Sequence, residues 1–124
     1  MDKTIMLVGS FNIIDPIEKA LHKAGYSVLP LCCPEMARRY CETRIDRVRL
    51  LVTELLYEDT QGMDLCLSVR RMDGNMPLLL LGSEGLWDVV VNAFVFNVDL
   101  LLAPSDEEIL LKKVFSLVGD PDVS

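Results

Sequence analysis

The stretch Leu50-Leu51-Val52-Thr53-Glu54-Leu55-Leu56-Tyr57-Glu58-Asp59-Thr60-Gln61-Gly62 decides how this chain is read. An apolar run stops at an acidic residue, a polar loop follows, and a glycine opens the next helical pattern. An uninterrupted apolar run suits a strand covered on both faces. In an open parallel sheet, ligands and chemistry gather outside the carboxyl ends of the strands. Glu54, a carboxylate at such an end, is therefore the first candidate functional residue.

Working outward, Val48–Thr53 is the third of five strand-like runs. Thr4–Val8 is the first, bounded by Gly9-Ser10. Asp15-Pro16 then announces a helix, with Asp15 as its cap and Pro16 at its first position, running to about Gly25. Ser27–Cys32 is the second strand, and Pro30, which cannot donate to a ladder, places it at an edge. Pro34 to about Glu42 reads as a short helix. Gly62–Met72 is a helix with Met63, Cys66, Leu67 and Val69 on one side, which makes Cys66 a core residue. Pro77–Leu81 is the fourth strand and ends at Gly82-Ser83.

Trp87–Phe96 is apolar on every side of a helix except at Asp88 and Asn92, a sign of unusual burial. Val90, Ala93 and Phe94 are assigned to the sheet, which leaves Trp87, Val91, Val95 and Phe96 facing outward. Contiguous exposed apolar groups mark interaction sites. Val98–Leu102 is the fifth strand, Ser105 with Glu108 reads as a capping box, and Ile109–Val118 is the last helix. Five alternations of strand and helix with short connections call for an α/β three-layer sandwich. Its five-stranded parallel sheet is expected in the flavodoxin-like order 2-1-3-4-5. Residues 1–119 form one domain, and 120–124 read as a tail or the start of a linker.

The totals narrow the function. The 124 residues are 51% apolar and 25% charged, a globular composition. A net charge of -7 argues against nucleic-acid contact, because neutralising phosphates takes Lys and Arg. No apolar run approaches the ~20 residues of a membrane span, and the first residues lack a signal-peptide pattern. The cytoplasm is the expected location. Cys32, Cys33, Cys41 and Cys66 form no C-x-x-C pair and read as reduced thiols. His22, the only histidine, lies off the apolar face of Ile17, Ala20, Leu21 and Ala24 and is read as solvent-facing.

Three features together resemble the response-regulator receiver (CheY-like) domain of two-component signalling. Asn97-Val98-Asp99-Leu100-Leu101-Leu102-Ala103-Pro104 is similar to that family's G-A-D-Y-L-x-K-P. Pro77–Leu81 sits at the matching distance before it, and the loop from Glu54 to Gly62 has the family's length. The resemblance implies a phosphoacceptor aspartate at position 54 and two acidic residues after the first strand that hold Mg²⁺ with it. It also implies a hydroxyl ending strand four and a lysine near the end of strand five. In this chain those positions hold Glu54, Gly9 and Ser10, Gly82 (with Ser83 one residue late) and Ala103. The aromatic switch position holds Leu100. A one-residue slip offers Thr53, whose side chain goes to the other face of the sheet. No slip restores the set.

The resemblance thus implies an atypical receiver, not an enzyme, that acts without phosphotransfer. Mg²⁺ binding is expected to be lost or weak, and no other cofactor is expected. Partners, or a second copy, are expected to use the fourth helix, fifth strand and fifth helix, with an output domain further along the same chain. Glu54 has two readings: a permanent imitation of a phosphorylated aspartate, or a solvated remnant at a strand end. Two other functions stand beside this one. The first is a receiver still phosphorylated on Glu54 or another acid. The second is a small flavodoxin-like cofactor binder whose Gly9-Ser10-Phe11-Asn12 loop cradles a phosphate.

Overall fold

Strand parity divides the apolar residues of this chain between two faces of one parallel sheet. The computed structural model describes residues 3–54, 61–82, 98–102 and 106–121. In chain order the elements are β1 (Thr4–Val8), α1 (Phe11–Lys23), β2 (Val28–Leu31), α2 (Pro34–Arg44) and a 3-10 turn (Ile45–Arg47). They continue with β3 (Val48–Glu54), α3 (Gln61–Met72), β4 (Leu78–Gly82), β5 (Asp99–Leu102) and α4 (Glu107–Val118). The parallel strands lie in the order β2-β1-β3-β4, and β5 pairs with the other side of β4. Pro30 sits in β2, an edge strand, where its missing N–H costs no ladder bond.

Successive side chains of a strand point to opposite faces. Ile5, Leu7, Leu50, Val52, Leu79 and Leu81 face one side and pack with Ile14 and Leu21 of α1 and Leu110 and Val114 of α4. Met6, Val8, Leu51, Leu78 and Leu80 face the other and pack with Ala37 and Cys41 of α2 and Met63, Cys66 and Val69 of α3. Among the described residues two helices cover each face, and the sheet is the middle layer. The apolar side chains of its central strands are buried. Burial of each such side chain contributes roughly 1.5–3 kcal/mol.

Two expected helix starts are corrected. Helix α1 begins at Phe11 and not at Pro16, because Ser10 is the extended N-cap residue and its carbonyl already accepts from the amides of Ile13 and Ile14, both at 3.0 Å. Pro16 therefore stands inside the helix, and Asp15 pairs with Lys19 at 3.0 Å instead of capping. The last helix begins at Glu107 and is capped by Asp106, whose Oδ1 accepts from the Ile109 amide at 2.8 Å. Glu108 reaches Lys112 instead, at 3.1 Å. Ser105 and the apolar segment Trp87–Phe96 lie outside the described residues. His22 is exposed, as its off-face position implied.

Burial also sorts the cysteines. Cys66 is fully buried and its thiol is pushed up to about 12, while Cys41, nearly as inaccessible, is pushed up to about 11. Desolvation of the thiolate is the main cause in both. Cys32 is exposed. A disulfide reagent at pH 8 is expected to label Cys32 in the native protein and to reach Cys41 and Cys66 only on unfolding. Both buried values are raised, so these thiols favour the folded state fully below the ordinary value of 9.0. That contribution is lost as pH rises through the folded values. Native labelling of Cys66 at the rate of Cys32 would contradict this packing.

Candidate functional site

The last residue of β3 shares the parity of Leu50 and Val52, so the Glu54 side chain leaves the sheet on the α1 side. It is half-buried. Its Oε1 accepts a short hydrogen bond from the backbone N–H of Ser10, the N-cap residue of α1. Helix α1 has no acidic residue in its own first turn, whereas α2 has Glu35, α3 has Asp64, and α4 has Glu107 and Glu108. Glu54 supplies from another strand the negative charge that a helix N-terminus favours, an effect of roughly 0.3–1 kcal/mol and up to about 2 in partly buried geometry.

Two glycines make the arrangement sterically allowed. A Cβ on Gly9 would lie 2.8 Å from Cγ and 2.9 Å from Oε1 of Glu54, and 2.9 Å from Cγ2 of Ile14. A Cβ on Gly62, in the first turn of α3, would lie 2.3 Å from the Glu54 carbonyl oxygen. Glu54 is thus held from both sides, with its carboxylate where a side chain at position 9 would otherwise project. Glu54 is therefore half-buried and hydrogen-bonded within the fold.

The structure brings Gly9, Ser10 and Glu54 together. Gly82 is buried at the end of β4, one residue beyond Leu81, the register partner of Glu54. Thr53 is fully buried, and its hydroxyl donates to the Glu54 carbonyl at 3.1 Å. Leu100 lies on β5 opposite Leu80. Ser83, Ala103, Trp87, Val91, Val95 and Phe96 lie outside the described residues.

A hard divalent cation wants several carboxylate and water oxygens. The described part of this site offers one carboxylate, already accepting an amide, beside a glycine and a serine. That donor set does not fit Mg²⁺. Among the described residues no group of three or more His, Cys, Asp or Glu side chains is placed to hold a metal ion.

Sequence reasoning missed a second charged position, Arg49, at the opposite end of β3. Its signal was present: an arginine that interrupts an otherwise apolar run. Arg49 reaches the backbone at and beyond the end of α4.

No protein-family model matches the chain, and no curated protein matches it. Solved structures do. A response regulator receiver domain protein from Clostridium thermocellum superposes with a TM-score of 0.85 at 17% identity, over 94% of each chain. The Vibrio cholerae chemotaxis protein CheY4 gives 0.81 at 19% identity, over 94% of this chain and 99% of that one. A putative response regulator from Chloroflexus aurantiacus gives 0.83 at 22% identity, over 95% and 98%. At such identities the likeness establishes the fold, which is that of receiver domains. No described helix is long and apolar enough to cross a membrane.

The packing of Gly9 against Glu54 has a measurable consequence. Gly9→Ala is expected to destabilise the protein by about 1–3 kcal/mol, the usual cost of overpacking. In a Glu54→Ala background only the Ile14 contact remains, so the cost falls and the cycle shows coupling of about 0.5 kcal/mol or more. Additive effects in denaturant titrations would contradict the direct contact.

Proposed function

We propose that this chain is an atypical receiver domain, a signalling module that binds protein partners or a second copy without phosphotransfer and without catalysis of its own. The observation that carries this reading is the engagement of Glu54. Its carboxylate is committed to the Ser10 amide, in space that Gly9 leaves open. A phosphoacceptor has to present an oxygen to an incoming phosphoryl group, with a metal and a fixed cation to neutralise the charge that develops. Here Gly9 and Ser10 stand at the acidic-pair positions, Gly82 at the hydroxyl position and Ala103 at the lysine position. The pocket on this reading no longer takes Mg²⁺ and serves as a structural joint between β3 and α1.

The same reading gives Glu54 a permanent negative charge at the carboxyl end of the sheet, held against a helix N-terminus. That is a partial, fixed version of what phosphorylation adds. Signal transfer then falls to a constitutive apolar surface. The segment Trp87–Phe96 has the composition for it, and on this proposal Trp87, Val91, Val95 and Phe96 supply that surface. An output domain following residue 119 and a cytoplasmic location complete the proposal.

Light scattering with and without acetyl phosphate and Mg²⁺, coupled to intact mass spectrometry, tests it. The expected result is an assembly state that ignores the donor and a chain that gains no adduct of ~80 Da, the mass of one phosphoryl group. A new adduct, or a donor-dependent change in assembly, would establish a working phosphoacceptor and overturn the proposal. Val91→Glu is expected to weaken self-association or partner binding at least tenfold, about 1.4 kcal/mol. An unchanged oligomeric state together with unchanged partner binding would remove this segment from the interface.

A further inference from the structure

The end of α4 is held in a way that the receiver reading does not use. Every other described helix carries a basic residue in its last turn: His22 and Lys23 in α1, Arg44 in α2, Arg70 and Arg71 in α3. Helix α4 carries none. Carbonyls at and beyond its end are instead met by side chains from β3 and from the turn before β2. The Arg49 guanidinium donates to the carbonyls of Val118 and Asp120 through Nη2 and to that of Pro121 through Nη1 at 3.2 Å. The Tyr26 hydroxyl donates to the carbonyl of Gly119 at 2.7 Å. Four consecutive carbonyls are therefore bound by two side chains.

The backbone is shaped to allow this. Thr4 pairs with Val48, but Ile5 pairs with Leu50, so Arg49 is the extra residue of a bulge in β3. Bulges are uncommon in parallel pairs, and they re-aim side chains. The parity of the core records the change: Val48 and Leu51 face α2 and α3, while Leu50 faces α1 and α4. Arg49 also lies over the Tyr26 ring, 5.6 Å from its centroid. No carboxylate among the described residues lies within ion-pair distance of it. Gly25 stands beneath the segment at φ +100, and a Cβ there would lie 3.2 Å from Cγ of Pro121.

We propose that Arg49 and Tyr26 form a latch that fixes the path of residues Val118–Pro121 as they leave α4, and that this latch opens locally without unfolding the sheet. The held residues are exposed or half-buried and are tied mainly through their carbonyls. Such a segment is of the low-stability kind that opens on its own. Opening has a consequence beyond the segment. Tyr26 and Pro121, with Ala24, Leu111 and Phe115, line an open groove of about 600 Å³ between the end of α1 and α4. Release of the latch withdraws Pro121 from that wall. The latch is thus a device that couples the direction of the chain beyond α4 to the shape of the α1–α4 surface.

Amide hydrogen exchange read by mass spectrometry on the whole chain tests this. Arg49→Met is expected to accelerate exchange in the segment 115–121 at least about tenfold, the scale of losing hydrogen bonds to a charged group. Exchange in β1, β3 and β4 should stay within about twofold of the parent, as expected when only a local unit opens. Tyr26→Phe, which keeps the ring and removes one bond, should produce a smaller acceleration confined to the same segment. Unchanged exchange at 115–121 in Arg49→Met would overturn the latch. So would acceleration spread equally over the strands, because the two residues would then belong to the global core. Should Arg49→Met fail to fold, Tyr26→Phe decides alone: local acceleration supports the latch, and no change or global acceleration refutes it.

Discussion

The central strand β3 carries a charge near each end, and each charge completes a helix that lacks its own. At the carboxyl end Glu54 accepts from the Ser10 amide and serves the N-terminus of α1, which has no acidic residue in its first turn. At the amino end Arg49 donates to carbonyls at and beyond the end of α4, which has no basic residue in its last turn. Both helices lie on the same face of the sheet. A hydrogen bond involving an ionised group contributes about 1.5–3 kcal/mol, enough to matter in a domain whose net stability is only about 5–15 kcal/mol. Apolar burial builds the sandwich, and these two contacts fix where α1 starts and where the chain goes after α4.

The consequence for function runs through space as much as charge. Glycine at position 9 leaves space at the sheet's carboxyl end, and the Glu54 side chain fills it. The two positions act as one unit. Placing a larger residue at 9 displaces Glu54, and removing Glu54 takes away the carboxylate that accepts from the Ser10 amide at the N-terminus of α1. A site built in this way holds its own anion. The proposed shift from a phosphorylation switch to a constitutive surface follows from that self-occupancy.

Much of this was legible in the sequence. The continuous apolar runs marked the buried strands, Pro30 marked an edge, and Cys66 fell on the apolar face of α3, all as found. Glu54 was legible as a strand-end acid because the run before it is apolar. Its partner was not legible, because a backbone amide leaves no trace in the residue types. Asp15-Pro16 misled for a related reason. It is a strong local start signal, and it lost to an extended Ser10 shortly after β1, whose carbonyl begins the helix five residues earlier. Arg49 was visible as a polar interruption, but the bulge that turns it toward Tyr26 depends on pairing with β1 and appears only in the sheet register.

The Ser10 amide reports directly on the central claim that Glu54 occupies the site from within. Its resonance can be followed by ¹H–¹⁵N NMR in the parent and in Glu54→Gln while Mg²⁺ is added. A carboxylate held by Ser10 gives a large difference in the Ser10 resonance between the two proteins, and no saturable shift with Mg²⁺ in the parent. A Ser10 resonance indifferent to the substitution, or one that moves and saturates with Mg²⁺, would show that the carboxylate is not held there and that the site remains open to a metal ion.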